Sequence, residues 1–423
     1  MSNERIRPLF TDLYALPRGK YVPRSVADGG KIGFCRAVYG VPLDRDIVPA
    51  PGAGFFEGLP DMDLMLDGDY RDSWQAGTLI ALGDLHANGE PFGLCGRSLL
   101  KRSVAEWQAH GYTPKVGIEL EAYVFEQDED GVWKPYATPG AFVYGTGPAN
   151  DPYGLMDLLW ETAMTCGLLV ESINGEYDSG QFELTLQFGD AVEAVDNVFL
   201  FRTMAKEVAA SLGLILTFMP KPIPERGGSG LHVNFSLVDK NGGNAIAPEG
   251  ELSDVATACV AGLMEHHEAL CGWLANTMNS YDRLQPASMA GYWANWADDH
   301  RMVTLRSSTG SAKSARLEHR TADCAGNPYI QVAAVLQAAK LGLENGYKAP
   351  AAEKEDAIEN VSTDRHAPAS LVRAMDAVEK DTALGKAIGE LLTDNLLFMK
   401  RDEVDRLSDK SQDEVRDYYL PFI

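Results

Sequence analysis

Four stretches of this sequence alternate apolar and polar residues, and each carries acids, a histidine or arginines on its polar side. In 116–125, Glu119 and Glu121 oppose Ile118, Leu120 and Ala122; in 181–187, Glu183 and Thr185 oppose Phe182, Leu184 and Leu186. In 231–237 the polar side holds His232, Asn234 and Ser236, and in 316–320 it holds Arg316, Glu318 and Arg320. Successive side chains of a strand point to opposite faces, so each stretch predicts a strand with one wet and one apolar face. Four such strands predict a curved sheet whose concave face is polar and whose convex face packs on helices. With Glu176 ahead of the second strand, that face would gather Glu119, Glu121, Glu176, Glu183, Glu318 and His232. Carboxylates so close raise one another's pKa or demand a cation. A donor set rich in oxygen with a single nitrogen suits a hard divalent ion, Mg²⁺ or Mn²⁺. Any one of these acids alone reads as the wet side of an amphipathic strand; four strands repeating the arrangement favour a site.

A chain of 423 residues, 45% hydrophobic, can bury a large core and is expected to form two domains. Its formal charge is −24, from 37 Lys and Arg against 61 Asp and Glu, which argues against nucleic acid or an anionic membrane as partner. The start, Met1-Ser-Asn-Glu-Arg-Ile-Arg, leads into no apolar run, and no stretch reaches membrane-spanning length, so a cytoplasmic protein is expected. Six scattered cysteines without a C-x-x-C pair predict reduced, mostly buried thiols.

Residues 1–103 are rich in turn formers between short apolar segments and predict a small, mostly β domain; 104–423 would form the second. Helices are expected over 98–110, from Asp151-Pro152 to Gly167, from Asp190 (with Glu193 completing a capping box) to Gly213, over 253–276, from Asn327-Pro328 to Gly346, and over 368–400. The neighbouring His266 and His267 point apart and read as surface or structural residues.

At this point the chain resembles a known family, glutamine synthetase and its γ-glutamyl-amide ligase relatives. The resemblance spans nearly all of 60–423. It rests on Gly117-Ile-Glu-Leu-Glu121, Glu176-Tyr-Asp-Ser-Gly-Gln-Phe-Glu183, Met219-Pro-Lys-Pro222 with Gly228-Ser-Gly-Leu-His232, Asn279-Ser-Tyr-Asp-Arg-Leu284, and Arg316-Leu-Glu-His-Arg320 with Asn327-Pro-Tyr329, all in order. It implies an α+β fold: a small N-terminal β-grasp domain, then a catalytic domain with a curved, antiparallel, barrel-like sheet flanked by helices. It also implies stacked hexameric rings with active sites between subunits. ATP would be a co-substrate, and Glu121, Glu176 and Glu183 would bind one divalent ion while Glu119, His232 and Glu318 bind another. Arg283, Arg320 and Gly228 would hold glutamate. Arg301, Arg306 and Arg316, with Asn234 and Ser236, would surround ATP, and Arg301, Arg306 and Glu318 would serve the chemistry. Arg301 and Arg306 are five residues apart and would face opposite ways in one strand, so one of them belongs in a loop.

The departures bear on the second substrate. The Asp-Gly-Ser-Ser stretch of glutamine-forming members has no counterpart in 54–62, and where they carry a Gly-Tyr-Glu-Ala-Pro flap this chain reads Ala287-Ser-Met-Ala-Gly291. Counted without gaps from Arg283 to Arg301, Met289 stands where that flap has its glutamate. Asn234 replaces a second histidine, and Gly227 an asparagine. Three readings follow: a ligase joining the glutamate γ-carboxylate to an organic amine, a glutamine synthetase with a divergent flap and either Glu57 or Asp178 as base, and an inactive structural relative. Retention of all six metal-type residues speaks against the last. Tyr292, Trp293 and Trp296 would either line an amine pocket or pack at an interface.

Overall fold

The computed structural model describes residues 4–136 and 140–423; Met1, Ser2 and Asn3, where the expected leaderless stretch begins, lie outside them. An N-terminal sheet contains β1 (Arg5–Thr11), β2 (Lys31–Cys35), β3 (Asp61–Asp72) and β4 (Thr78–Ala87) in the spatial order β1-β4-β3-β2, with short strands at its margins. β1 and β4 run parallel; β3 pairs antiparallel with both β4 and β2. Helix α1 (Gly96–Ala109) then leads into β5 (Tyr112–Gln127), the central strand of a second, larger sheet. Arg97, in the first turn of α1, donates to Asp67 (2.7 Å) and Asp84 (3.0 Å) of the first sheet and to Asp196 (2.8 Å) behind the second. The proposed division at residue 103 therefore lies inside a helix whose first turn is bonded to both sides.

The second sheet continues after α2 (Leu155–Thr165) with β6 (Val170–Gly175) and β7 (Gln181–Leu186), then after α3 (Ala191–Ser211) with β8 (Leu231–Asp239). Helices α4 (Asp254–Glu265) and α5 (His267–Leu274) precede β9 (Trp296–Asp298), β10 (Leu305–Ser308) and β11 (Arg316–His319), and α6 (Pro328–Asn345) follows. The spatial order is β6-β7-β5-β8-β11-β10-β9, antiparallel except for β9 with β10. The alternation delivers one buried face: Ile118, Leu120, Leu184, Val233, Phe235 and Leu317 are all fully or nearly fully buried, and α3 packs behind β5. Small residues permit the tightest helix contact. At the crossing of α4 with α6, a side chain on Gly262 would meet Ala338 O at 2.1 Å, and one on Gly342 would meet Ala258 O at 2.0 Å. Either substitution would push the two helices apart.

Several boundaries differ from expectation, each for a tertiary reason. The helix expected from Asp151 begins at Leu155, because the buried Asp151 carboxylate accepts from Met156 N (2.6 Å) and from Tyr136 Oη (2.8 Å) instead of starting the helix itself. No capping box forms at Asp190, whose side chain pairs with Lys115 at 2.7 Å. The helix expected over 253–276 breaks at His266, where Nδ1 reaches Asp381 Oδ2 at 2.6 Å. Both histidines are buried, so the surface reading is wrong and the structural one stands. The single helix expected over 368–400 is three: Leu371–Lys380, Thr382–Ile388 and Glu390–Leu407, divided at Asp381 and Gly389. Five of the six cysteines are buried and all are free; Cys35 is exposed.

Candidate active site

Strand register builds the site. Across β7, β5 and β8, Glu183 stands opposite Glu121, and Glu119 opposite both Thr185 and His232. On the far side of β8, Asn234 stands opposite Glu318, which stands opposite Arg306 of β10. Paired residues of adjacent strands share a face, so these side chains form one polar surface on the side away from α3. Glu176 lies just beyond β6, its N–H bonded to Gln181 O at 2.9 Å, which turns the chain back toward Glu183. All the predicted metal-type residues are thus on one surface, but they divide into two unlike groups.

The first group centres on His232. Its Nδ1 lies 2.9 Å from Glu119 Oε2 and 3.6 Å from Glu318 Oε1, and its Nε2 is 3.8 Å from Glu121 Oε1. Ligand atoms of Glu119, His232 and Glu318 all fall within 4.8 Å of one another, the one such triplet among the described residues. Every carboxylate here has further partners. Asn234 Nδ2 donates to Glu119 Oε1 (3.1 Å), with Asn234 itself held by Arg316 Nε (3.0 Å). Glu318, 2% exposed, is paired with Arg306 at 3.1 Å and with Arg320. Burial alone would raise the Glu119 pKa, but the hydrogen bond and charge of His232, the Asn234 donor and the Arg320 charge outweigh it and bring it to about 2.

In the second group acid faces acid across the strands. Glu121 accepts from Gly230 N at 2.7 Å. Burial raises the Glu176 pKa to about 7, helped by the charges of Glu121 and Glu183; burial raises Glu183 too, helped by Glu119 and Glu121. Two half-buried carboxylates, Glu176 and Glu183, whose ionisation is disfavoured beside a third acid mark a surface suited to receive positive charge. On that donor chemistry the residues fit hard divalent cations.

The arginines are distributed as follows. Arg283 is buried beneath the 228–230 loop and donates to Thr321 O (2.8 Å) and Arg320 O (3.1 Å). A side chain on Gly230 would come within 2.5 Å of Arg283 Nη2 and 3.2 Å of His232 Nε2, so glycine is what lets the guanidinium approach the histidine. Gly228 O accepts from Gln181 Nε2 at 3.0 Å. Arg306 is on β10 and Arg301 in the turn before it, exposed, as their five-residue spacing required. Arg316 borders the polar surface through Asn234, and Ser236, half-buried, stands opposite Lys115 on β5. Met289 is 45% exposed with φ +59°, and its carbonyl accepts from Arg320 Nη2 at 3.5 Å. Asp178 is committed to Gly227 N and Tyr123 Oη (3.3 Å), while Glu57 is exposed in the N-terminal domain. Tyr292 stacks on His366 (5.1 Å, 7°) with Trp293 edge-on to both, and Trp296 Nε1 donates to Pro350 O at 2.9 Å; Tyr292, Trp293 and Trp296 all stay partly exposed.

Sequence reasoning missed Asp299, an acid in contact with Arg306. The acidic pair Asp298-Asp299 just ahead of Arg301 was the available signal, but its direction depends on the turn.

Comparison with known proteins agrees with this arrangement. Residues 93–419 match the family described as glutamine synthetase, catalytic domain. Glutamine synthetase of Halobacterium salinarum is 30% identical over 416 residues, covering 94% of this chain and 89% of its own. Gamma-glutamylethanolamide synthetase of Streptomyces coelicolor is 33% identical over 347 residues, covering 79% and 73%. Among solved structures, ligand-free GmaS superposes with a TM-score of 0.83 at 26% identity, covering 99% and 96%. The chain belongs to the glutamine synthetase family, whose members are ATP-dependent ligases that join glutamate to ammonia or an amine.

Proposed function

We propose that this protein joins the γ-carboxylate of glutamate to an organic primary amine through γ-glutamyl phosphate, releasing ADP and phosphate. A carboxylate is a poor electrophile at neutral pH. Transfer of the ATP γ-phosphoryl group to one of its oxygens supplies the leaving group that the amine nitrogen then displaces. In this reading Glu119, His232 and Glu318 hold one Mg²⁺ (or Mn²⁺) and Glu121, Glu176 and Glu183 a second. Bound there, the ions neutralise charge developing on the phosphoryl oxygens. Arg301, Arg306 and Arg316 supply guanidinium forks to the nucleotide phosphates, with Asn234 and Ser236 beside them, and a planar fork can meet two oxygens at once. Arg320, Arg283 and the Gly228 backbone position glutamate. We further propose the N-terminal 1–103 and catalytic 104–423 division, stacked hexameric rings, and a cytoplasmic setting where ATP and glutamate are available.

The observation that carries the choice of an organic amine is Met289, half-exposed beside Arg320 where the family's flap has an acid. Ammonium needs several acceptors and a base; a thioether is a weak acceptor and no base. An alkyl substituent can lie against it, each buried methylene contributing about 0.8 kcal/mol against ammonium. Ammonium as substrate is the second reading, favoured by the wide coverage of the Halobacterium glutamine synthetase. Phosphate release with ATP, Mg²⁺ and glutamate should show higher kcat/KM for at least one of methylamine, ethanolamine and putrescine than for ammonium. Preference for ammonium over all three refutes the proposal.

A further inference from the structure

The two terminal nitrogens of Arg306 are both taken. Nη1 meets Glu318, which is 2% exposed and tied also to Arg320 and His232; Nη2 meets Asp299, whose side chain is 74% exposed. Asp299 stands in the turn between β9 and β10 with φ +47°, a left-handed conformation uncommon for a residue with a side chain, and its N–H is fixed to Ser307 O at 2.8 Å. A non-glycine residue kept in that region needs its surroundings to over-determine it, and such residues gather at functional sites. Its carboxyl is held below the usual range by the hydrogen bond and charge of Arg306, with the charges of Arg301 and Arg316 also acting on it. One acid therefore sits among the three arginines assigned to the nucleotide phosphates.

We propose that Asp299 is an internal stand-in for a phosphate: its carboxylate occupies the Arg306 fork, and the terminal phosphate of ATP must displace it to bind. This rests on the assignment of Arg306 to ATP. Of the two carboxylates on the fork, Glu318 is buried in a network and Asp299 is solvated, so Asp299 is the one that can leave. Held in place, it keeps the guanidinium aimed at the site and excludes weaker anions. Because the competing state lowers the fraction of protein ready to bind, the apparent affinity for ATP is reduced by that fraction. Neighbouring Asp298 carries the same charge but is turned away, accepting from Ser307 Oγ (2.8 Å) and Thr309 Oγ1 (3.0 Å).

Calorimetric titration of the full-length protein with Mg²⁺ and ATP, without glutamate or amine, tests this independently of which amine is used. Asparagine tolerates left-handed backbone, so Asp299→Asn should keep the turn and bind ATP about two- to fivefold more tightly, the range of a solvated ion pair. AMP, which lacks the terminal phosphate, should bind both proteins alike, and Asp298→Asn should not change ATP binding. Unchanged or weaker ATP binding by Asp299→Asn, or an equal gain in Asp298→Asn, overturns the proposal. Should the asparagine variant misfold, Asp299→Gly, for which this φ is unstrained, carries the same expectation. Wild-type ATP affinity in Arg306→Ala would instead refute the underlying assignment of Arg306, whatever Asp299 does.

Discussion

The two halves of the acidic surface obey opposite electrostatics although they share β5 and lie side by side. Around His232 each carboxylate has a cation or amide donor, and the Glu119 pKa falls to about 2. Around Glu121 and Glu183 the acids face one another, and the Glu176 pKa rises to about 7. The difference comes from neighbours in register: β8 and β10 bring His232, Asn234 and Arg306, with Arg320 just beyond β11, whereas β6 and β7 bring Glu183, Asn174 and the hydroxyls of Ser172 and Thr185 but no basic residue. One half is organised by the protein itself; we propose that divalent cations complete the other.

Removing charge should therefore have opposite effects on stability in the two halves. Glu318→Gln strips the carboxylate from two guanidinium groups, and losing one partner of a buried network costs on the order of 3–5 kcal/mol. Glu183→Gln in metal-free protein relieves repulsion, so its melting temperature should stay level or rise, while turnover is lost in both variants. Equal destabilisation of the two would erase the distinction between the halves.

A smaller effect follows from the sign of the Glu176 shift. Its folded pKa of about 7 exceeds the ordinary 4.5, so between those values the folded state binds more protons than the unfolded one. Metal-free stability from this group is full below about pH 4.5 and declines as pH rises toward 7. A divalent ion competes with that proton, so the gain in melting temperature on adding Mg²⁺ or Mn²⁺ should be larger at pH 8 than at pH 6. A gain independent of pH, or none, would contradict it. The arginines offer a finer division: Arg320→Ala should chiefly raise KM for glutamate, and Arg301→Ala chiefly lower kcat. The reverse partition would exchange their roles.

The polar face was legible from sequence because period-two alternation survives folding wherever one side of a sheet is buried. Pairing partners were not: nothing in the sequence states that Glu318 lies opposite Arg306, which depends on β10 and β11 meeting. Helix ends failed where a side chain served a distant partner, as Asp151 does for Tyr136 and His266 for Asp381. Asp299 was hidden for a similar reason, since only the left-handed turn aims it at Arg306.

The central claim, an organic amine as second substrate, is tested most directly by letting the nucleophiles compete. Wild-type protein and Met289→Glu would be supplied with ATP, Mg²⁺, glutamate and equal amounts of ammonium, methylamine, ethanolamine and putrescine, and the products weighed by mass spectrometry. The wild type should form a substituted γ-glutamyl amide in excess over glutamine, and Met289→Glu should shift the ratio toward glutamine. Glutamine as the main wild-type product would contradict the account.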